Sequence, residues 1–409
     1  MKIQPIVYIV PVAILALALA LGSTLLVRIL YVLLVIGLVG FFWARLGLRG
    51  LRLNVGELSG HFRVGDSFKE EFTVTNESRT PKLLVKAEEH SNLPGYRNVS
   101  FVSLSAGGSR SWQSQVTCRR RGRYSLGAVT VSSGDPFGLF TYTNTLGKPR
   151  EIVVFPQVVE LPFFRTSLST LVDFGHGAGG RRISQISPSA SSVREMVSGD
   201  SQEHIHWRST AHTGQLMVKV FDAEHSPDNT KNVWIALDMA AAAHCGEGDD
   251  TTEEYCVAAA ASLAGKYLND GMRVGLIASG DRQYSLPPGA GEAHFSKLLE
   301  HLALMKATGQ MPVERLISED GSFGSNSTIV VVTPQSTEPV VDAMRWLKNY
   351  GHWVVAVFAD CSSFGGTLAP THMAHALGSI GVQAYIVRKG ESLARALDSR
   401  AALWYSRYL

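Results

Sequence analysis

The sequence predicts three parts in chain order: an N-terminal transmembrane helical hairpin, an antiparallel β-sandwich and a C-terminal doubly wound α/β domain. Two long apolar runs lie near the N-terminus, short strand-like runs follow, and the C-terminal half alternates apolar strands with helical segments. A chain of 409 residues is too long for one ordinary domain. We expect the hairpin in residues 1–46, the sandwich in 51–157, a connecting region in 158–226 and the α/β domain in 227–409.

The predicted hairpin consists of two apolar runs, Ile3–Leu21 and Leu25–Trp43. At about 1.5 Å per helical residue, each run is long enough to cross a hydrocarbon core of roughly 30 Å. The alternative is a signal peptide, because Ala18-Leu19-Ala20 resembles a cleavage site. The second run follows almost at once, which favours the hairpin, and it would anchor the protein even after cleavage.

Charge predicts the orientation of the hairpin. Four basic residues flank its open end, and Arg28 lies near its tip; the four are Lys2, Arg45, Arg49 and Arg52. By the positive-inside rule both termini face the cytoplasm, which predicts a protein of the inner membrane with two spans and cytoplasmic soluble domains.

The remaining body is close to neutral. The chain has 38 basic and 35 acidic residues, and removing the five basic residues that precede Glu57 leaves 33 basic residues. A nucleic-acid-binding surface is therefore not expected. The four cysteines have no CxxC spacing, which argues against a zinc site and a disulfide framework. Free thiols in a reducing compartment are the expected state.

Strand-like runs separated by turn residues predict the β-sandwich. The expected strands are Ser67–Thr75, Lys82–Ala87, Ser111–Thr117, Ala128–Ser132 and Glu151–Phe155.

Two further segments of this domain stand out. The arginines at 119, 120, 121 and 123 suit either anionic lipid head groups or a solvated turn, and the turn is favoured. The turn Asp135–Gly138 is expected to place Phe137 and Phe140 in the core.

Alternating strands and helices in the C-terminal half predict a mostly parallel sheet with helices on both faces. The expected strands are Asn232–Met239, Met272–Ser279, Gln283–Leu286, Thr328–Thr333, Trp353–Ala359 and Val382–Val387. The expected helices are Glu253–Leu268, Glu292–Met305, Pro339–Asn349 and Ser392–Ser406.

The segment Ser198–Phe221 combines a Gly-Asp pair, a tryptophan among charged neighbours and an alternating strand-like run. It resembles the signature of a bacterial membrane-associated family, domain of unknown function 58. The residues that match are Gly199, Asp200, Ile205, Trp207, Ala211, Leu216 and Val218. Glu203 and His212 stand where the family pattern has arginine.

We interpret this segment as the candidate interaction site. Its expected residues are Gly199, Asp200, Ile205, Trp207, Arg208, Ala211 and Lys219. Trp207 is expected to be buried between the connecting segment and the sheet. His204, His206 and His212 are expected on an extended segment, where alternate side chains face opposite ways.

The family resemblance also implies a von Willebrand factor A-like fold for the α/β domain, and Asp238 at the end of its first strand agrees with it. Metal-binding members of that class carry Asp-x-Ser-x-Ser at this point. Here Ala240 and Ala242 replace both hydroxyls, so we expect a degenerate site with no metal and no cofactor. Asp238 is expected to form local hydrogen bonds instead.

The sequence favours a membrane-tethered, non-enzymatic interaction or scaffold protein. The resemblance implies a MoxR-type AAA+ ATPase as partner, together with a transglutaminase-like membrane protein, in the assembly or maturation of envelope or other complexes. The alternative is a hydrolase that uses Asp200, His206 or Asp238.

Overall fold

A computed structural model describes residues 2–56, 58, 60–164, 192–195, 206–220, 232–319, 323–324 and 326–401. The chain divides into two compact units, residues 1–155 (unit 1) and 156–409 (unit 2).

Unit 1 begins with a two-residue strand and two apolar helices. These are β1 (Lys2–Ile3), α1 (Ile6–Leu21) and α2 (Thr24–Gly47). Helix α2 spans about 36 Å at 1.5 Å per residue and is long and apolar enough to cross a membrane. Helix α1, with 16 residues, begins at Ile6 rather than Ile3, because Lys2 and Ile3 are extended and pair with a strand of the following sheet.

The remainder of unit 1 is built from strands. They are β2 (Leu51–Val55), β3 (Phe62–Arg63), β4 (Ser67–Asn76), β5 (Lys82–Ser91), β6 (Asn98–Leu104), β7 (Ser109–Thr117), β8 (Gly122–Gly134), β9 (Phe140–Leu146) and β10 (Arg150–Phe155). One sheet has the order β1-β9-β8-β10-β3, with β5 paired to β8 and β6 to β5; the other has the order β2-β4-β7. All pairs are antiparallel except β10 with β3.

The two sheets of unit 1 share a core because their strands alternate buried and exposed residues. Phe72 and Val74 of β4 pack in one cluster with Val85 of β5 and Val131 of β8. The expectation for the turn after β8 is half wrong: Phe140 is buried, but Phe137 is exposed. Asp135 explains the difference, because its carboxylate accepts hydrogen bonds from both backbone N–H groups, which turns the chain so that only one ring points inward.

Unit 2 contains the remaining elements. Its strands are β11 (Ser192–Glu195), β12 (Met217–Val220), β13 (Asn232–Leu237), β14 (Gly246–Glu247), β15 (Asp250–Thr251), β16 (Arg273–Ser279), β17 (Gln283–Gly289), β18 (Thr328–Thr333), β19 (Trp353–Ala359) and β20 (Gln383–Val387). Its helices are α3 (Trp207–Thr213), α4 (Thr252–Asn269), α5 (Glu292–Leu304), α6 (Val313–Glu319), α7 (Glu338–Asn349), α8 (Thr371–Ser379) and α9 (Leu393–Ala396).

Six strands form the main sheet in the order β17-β16-β13-β18-β19-β20, and only the edge strand β17 is antiparallel to its neighbour. One face packs against α6, α7 and α8 in a continuous apolar cluster. Alternate residues of β13 point to the opposite face, and α4 packs against β13 and β16. The first strand of the sheet, β13, lies between β16 and β18, so chain connections diverge at its carboxyl end.

The predicted final helix Ser392–Ser406 is wrong in length. Helix α9 ends at Ala396, and a single 3₁₀ turn follows at Ser399–Ala401. The helical ladder stops because the Ser399 N–H donates to the carbonyl oxygen of Phe163, at 3.1 Å, instead of to the preceding turn. The end of the predicted helix lies outside the described residues.

Candidate functional site

The helix α3 begins at a histidine cap and ends at a glycine. Nδ1 of His206 accepts from the Ser209 backbone N–H at 3.2 Å and lies 2.7 Å from the Ser209 hydroxyl. Gly214 ends the helix at φ 74°, a left-handed conformation that favours glycine. The expectation of an extended segment is therefore wrong for His206 and His212, since one caps this helix and the other lies in its last turn.

Hydrogen bonds tie the N-terminal cap and the middle of α3 to the strand that follows. The backbone N–H of His206 donates to the Met217 carbonyl at 2.7 Å, and that of Met217 donates to the Thr210 hydroxyl at 3.0 Å. Strand β12 in turn pairs with β11, which places Lys219 opposite Val193 in the ladder. The strand predicted from the alternating run is thus confirmed.

Trp207 is 68% exposed, so the expectation that it is buried is wrong. It is the first residue of a seven-residue helix whose contacts with β12 are made by backbone groups and by Thr210, which leaves the indole in solvent. Arg208, Ala211 and His212 are also exposed. Residues 207 and 211 lie four apart, as do 208 and 212, so these four side chains share one side of the helix, which we call the α3 surface.

Three of the predicted motif residues, Gly199, Asp200 and Ile205, lie outside the described residues, as do Glu203 and His204. The structure therefore brings together Trp207, Arg208 and Ala211 and orders the backbone around Lys219.

Asp238 follows β13 at the carboxyl end of the sheet, next to the end of β18. It is buried; Oδ2 accepts from the Thr333 hydroxyl at 2.6 Å, and Oδ1 accepts from the Ala240 backbone N–H at 3.1 Å. Thr333 also accepts from the Gln335 N–H at 2.9 Å. Burial raises the pKa of Asp238 to about 6, although both hydrogen bonds act in the opposite direction.

Hydrogen bonds hold the loop after β13 against the backbone of Asp238 and Met239. His244 contacts the Asp238 carbonyl oxygen through Nε2 at 2.9 Å and the Thr252 hydroxyl through Nδ1 at 3.1 Å. Gly309 exchanges backbone hydrogen bonds with Met239 and Ala241. A side chain at Gly309 would collide with the Ser279 carbonyl oxygen, so only glycine allows this close approach.

A second polar group lies at the end of β19. Asp360 accepts from the Ser362 N–H and hydroxyl, at 3.1 and 2.5 Å. The Cys361 thiol is buried, lies 2.8 Å from the Cys245 sulfur, and has a pKa raised above the usual thiol range by that burial. A buried, protonated thiol is a weak nucleophile.

Sequence reasoning identified Asp238 but missed Thr333, His244 and Asp360. The signal was available, because Thr333 ends an apolar strand and Asp360 directly follows one, and the carboxyl ends of parallel strands meet at one edge. Ala240, one of the two alanines noted in the sequence, contributes only its backbone N–H to the Asp238 carboxylate. Among the described residues, no group of three or more His, Cys, Asp or Glu side chains is arranged to hold a metal ion.

The arginines at 119–123 lie at the start of β8, whereas α2 packs against its other end, near Ser133 and Asp135. At about 3.3 Å per residue, the two ends of this strand are roughly 35–40 Å apart. Arg121 is buried rather than solvated, and the backbone carbonyls of Arg120 and Arg121 accept from the Tyr124 hydroxyl. This position does not favour the lipid interpretation.

Unit 1 holds an acidic cluster that the sequence did not indicate. Glu70 and Glu89 are buried, and the Arg150 guanidinium lies 2.6 Å from Glu70 and 3.6 Å from Glu89. Tyr96 donates its hydroxyl to Glu89. The pKa of Glu70 is raised, first by burial and then by the neighbouring Glu89 carboxylate.

The described residues define a protein with a long apolar N-terminal helix, mixed α/β content in several sheets, and an internally hydrogen-bonded aspartate at the edge of a mostly parallel sheet. Residues 192–358 match the family described as Protein of unknown function DUF58. The uncharacterized protein YeaD of Bacillus subtilis is 29% identical over 230 residues, which cover 54% of this chain and 52% of YeaD. The chain thus spans about half the length of the curated relative it matches. These findings confirm the resemblance of residues 192–358 to that family.

Similarity to solved structures is limited. A CARDB domain from Pyrococcus furiosus is 17% identical, with a TM-score of 0.20, and the match covers 26% of this chain and 94% of that domain. A β-glucosidase from Listeria innocua is 14% identical, with a TM-score of 0.19, over 25% of this chain and 16% of the enzyme. At these TM-scores neither similarity bears on function.

Proposed function

We propose that this protein is a membrane-tethered interaction protein that docks a partner on the α3 surface. The observation that carries the proposal is the exposure of Trp207 within the region that matches the family. Tryptophan and arginine are the residue types that most often dominate the binding energy of protein interfaces, and Arg208 lies beside this indole. The tight connection of α3 to β12 holds both side chains on a preorganised backbone.

The partner we propose is a MoxR-type AAA+ ATPase, with a transglutaminase-like membrane protein in the same assembly, acting in the assembly or maturation of envelope or other complexes. An interaction with an ATPase domain requires a docking surface and no chemistry on this chain. The α3 surface meets that requirement.

We further propose that α1 and α2 cross the inner membrane as a hairpin, with the strands of unit 1 and all of unit 2 in the cytoplasm. The two-residue link between the helices supports this arrangement, as do the basic residues Lys2 and Arg45 at its open end. The pairing of β1 with β9 also supports it, because it holds the N-terminus beside the sheet of unit 1.

On this proposal the strands of unit 1 that follow α2 form a β-sandwich, and residues 227–409 of unit 2 form a von Willebrand factor A-like domain. The core shared by both sheets of unit 1 supports the first assignment. The strand order of unit 2 and the position of Asp238 at the end of its first strand support the second.

The hydrolase alternative receives less support from the contacts. The Nδ1 atom of His206 is engaged as a helix cap, and both oxygens of the buried Asp238 carboxylate accept hydrogen bonds from within the fold. Asp200, the third residue of this alternative, lies outside the described residues.

The test is capture of a purified MoxR-type ATPase, encoded by the same genome, by the full chain in detergent. Trp207→Ala is expected to weaken capture by at least about tenfold, since interface tryptophans often contribute 2 kcal/mol or more. The same variant should melt within a degree or two of wild type, because substitutions at exposed positions change stability by only about 0.5 kcal/mol.

Trp346→Ala is the matched control, because Trp346 is an exposed tryptophan on a different helix, α7. It should leave capture unchanged. If wild type fails to bind the ATPase, the proposed partner is wrong; if it binds and both variants behave alike, the proposed surface is wrong.

A further inference from the structure

Exposed apolar side chains lie at the end of unit 1 that adjoins the second half of α2. Leu84 is 70% exposed and Phe137 is 58% exposed, and Leu83 is exposed beside Leu84. Isolated exposed apolar side chains are ordinary, but these three lie on two separate segments, and both segments contact the same apolar helix, α2.

The first of these segments is a bulge in β5. Lys82 pairs with Leu104 and Val85 pairs with Val102, so two residues of β5 stand opposite one residue of β6. Leu84 takes a left-handed backbone conformation, φ 52°, that leucine rarely adopts. The bulge turns Leu83 and Leu84 outward, so a strained backbone is combined here with exposed leucines, and such strain concentrates at functional positions.

Lys82 fixes the bulge against the end of α2. Its side chain is buried, and its ammonium donates to the Leu46 carbonyl oxygen in the last turn of the helix. A cation at this position also interacts favourably with the helix C-terminus. The two leucines therefore lie beside the point at which the apolar helix α2 meets the strands of unit 1.

The second segment is the turn after β8, which contacts α2 at Gly40, before the end of the helix. Gly40 contacts Asp135 so closely that a Cβ atom there would be 3.3 Å from the Asp135 carboxylate, and the rings of Phe41 and Phe140 pack edge to face at 5.9 Å. Gly40 precedes the helix end at Gly47 by about 10 Å, at 1.5 Å per residue. Phe137 is carried on this turn with its ring in solvent.

We propose that Leu83, Leu84 and Phe137 insert into the lipid bilayer interface around α2, so that unit 1 rests on the membrane surface as well as being tethered to it. The occupant is phospholipid: apolar side chains enter the region between head groups and acyl chains, and basic residues near the end of α2 face anionic head groups. Arg45 and Arg49 are placed for that contact. This inference rests on the proposed membrane anchor.

The experiment places the photoreactive amino acid p-benzoylphenylalanine at single positions of the full chain, in membranes whose phospholipids carry an alkyne-tagged fatty acid. Leu84 and Phe137 are the test positions. Leu34, an exposed residue within α2, reports on the anchor itself. Phe101 is the matched control, because it is 65% exposed but lies on β6, three residues from the Leu104 that pairs with Lys82.

Irradiation should give at least about fivefold more tagged lipid adduct at Leu84 and Phe137 than at Phe101, because only side chains in the interface reach acyl chains. If Leu34 gives adducts while Leu84 and Phe137 do not exceed Phe101, the inference is overturned and the anchor stands. If Leu34 also gives no lipid adduct, the proposed membrane anchor is wrong, and this inference is wrong with it. Cross-links from Leu84 or Phe137 to a protein instead of lipid would overturn the inference in favour of a docking surface.

Discussion

Two buried acidic sites, the Glu70–Glu89 cluster of unit 1 and Asp238 of unit 2, are held in different ways. In unit 1, Glu70 and Glu89 share the guanidinium of Arg150, a charged partner. In unit 2, Asp238 is held by neutral donors, the Thr333 hydroxyl and the Ala240 N–H. Burial raises the pKa in both places, of Glu70 and of Asp238.

The difference shows what each site needs. A cation compensates the charge of the unit 1 cluster, so removing that cation leaves buried charge without a partner. The donors that hold the Asp238 carboxylate are neutral, and its burial raises the pKa, so this group takes up a proton at a pH well above that of an ordinary aspartate. The Glu70–Glu89 cluster should therefore depend on its ion pair, whereas the Asp238 site should respond to pH without one.

Removal of the cation is expected to have the largest effect. Arg150→Met should destabilise unit 1 by about 3–5 kcal/mol, because Glu70 and Glu89 then remain buried without a cation. Hydrogen exchange measured by mass spectrometry on peptides from β4, β5 and β10 would detect the loss of protection. Arg123→Met is the control, since its pair with Glu151 is exposed and 3.8 Å apart, and it should cost at most about 1 kcal/mol. Equal effects of the two variants would contradict the comparison.

The next effect is the pH dependence of unit 2. The folded-state pKa of Asp238, about 6, lies above the usual value of 3.8, so between these pH values the folded state holds more protons than the unfolded state. Stability should therefore fall as pH rises from about 4 to 6, by up to about 3 kcal/mol, and then level off.

Denaturant unfolding of wild type and Asp238→Asn across this range isolates that slope, because asparagine does not titrate. Asp270→Asn, at an exposed aspartate that pairs with Lys266, should retain the wild-type slope. Superimposable pH profiles for wild type and Asp238→Asn would rule out the proposed proton uptake.

The smallest expected change in stability follows from loss of the Thr333 hydroxyl, which donates to Asp238. Thr333→Val removes the O–H that donates to Asp238 and the acceptor of the Gln335 N–H, and should cost about 1–3 kcal/mol. Thr328 lies on the same strand and is equally buried, but its hydroxyl has no hydrogen-bond partner among the described residues. Thr328→Val should accordingly be neutral or slightly stabilising. The comparison of the two variants by thermal melting is decisive: a larger loss at Thr328 would refute the role assigned to Thr333.

The sequence predicted the buried strands of unit 2 best. Strands β18 and β19 have the predicted bounds, because each is an unbroken apolar run that only a buried strand or helix accommodates. Strands β2, β6 and β9 were missed, since their buried and exposed positions mix polar and apolar residues. Helix α3 was also missed, because Trp, Ser, Thr and His are weak helix formers and its ends are fixed by contacts with β12.

The sequence predicted a functional position only where a single residue in a recognisable place indicates it. Asp238 was visible at the end of a strand, but its partner Thr333 lies 95 residues away, and Arg150 lies 80 residues from Glu70. Pairings over such separations are decided by the register of the sheets. The exposure of Trp207 was equally inaccessible, because an indole among polar neighbours fits both a buried anchor and a docking residue.

The edge strand β17 has a consequence for behaviour at high local density. Its sequence contains Pro287 and Pro288, and proline has no backbone N–H to offer another strand. A sheet edge with free donors is a template on which a second chain can add, and such encounters become more frequent as the local concentration rises. The two prolines interrupt that template, so this edge resists strand exchange and aggregation between neighbouring copies.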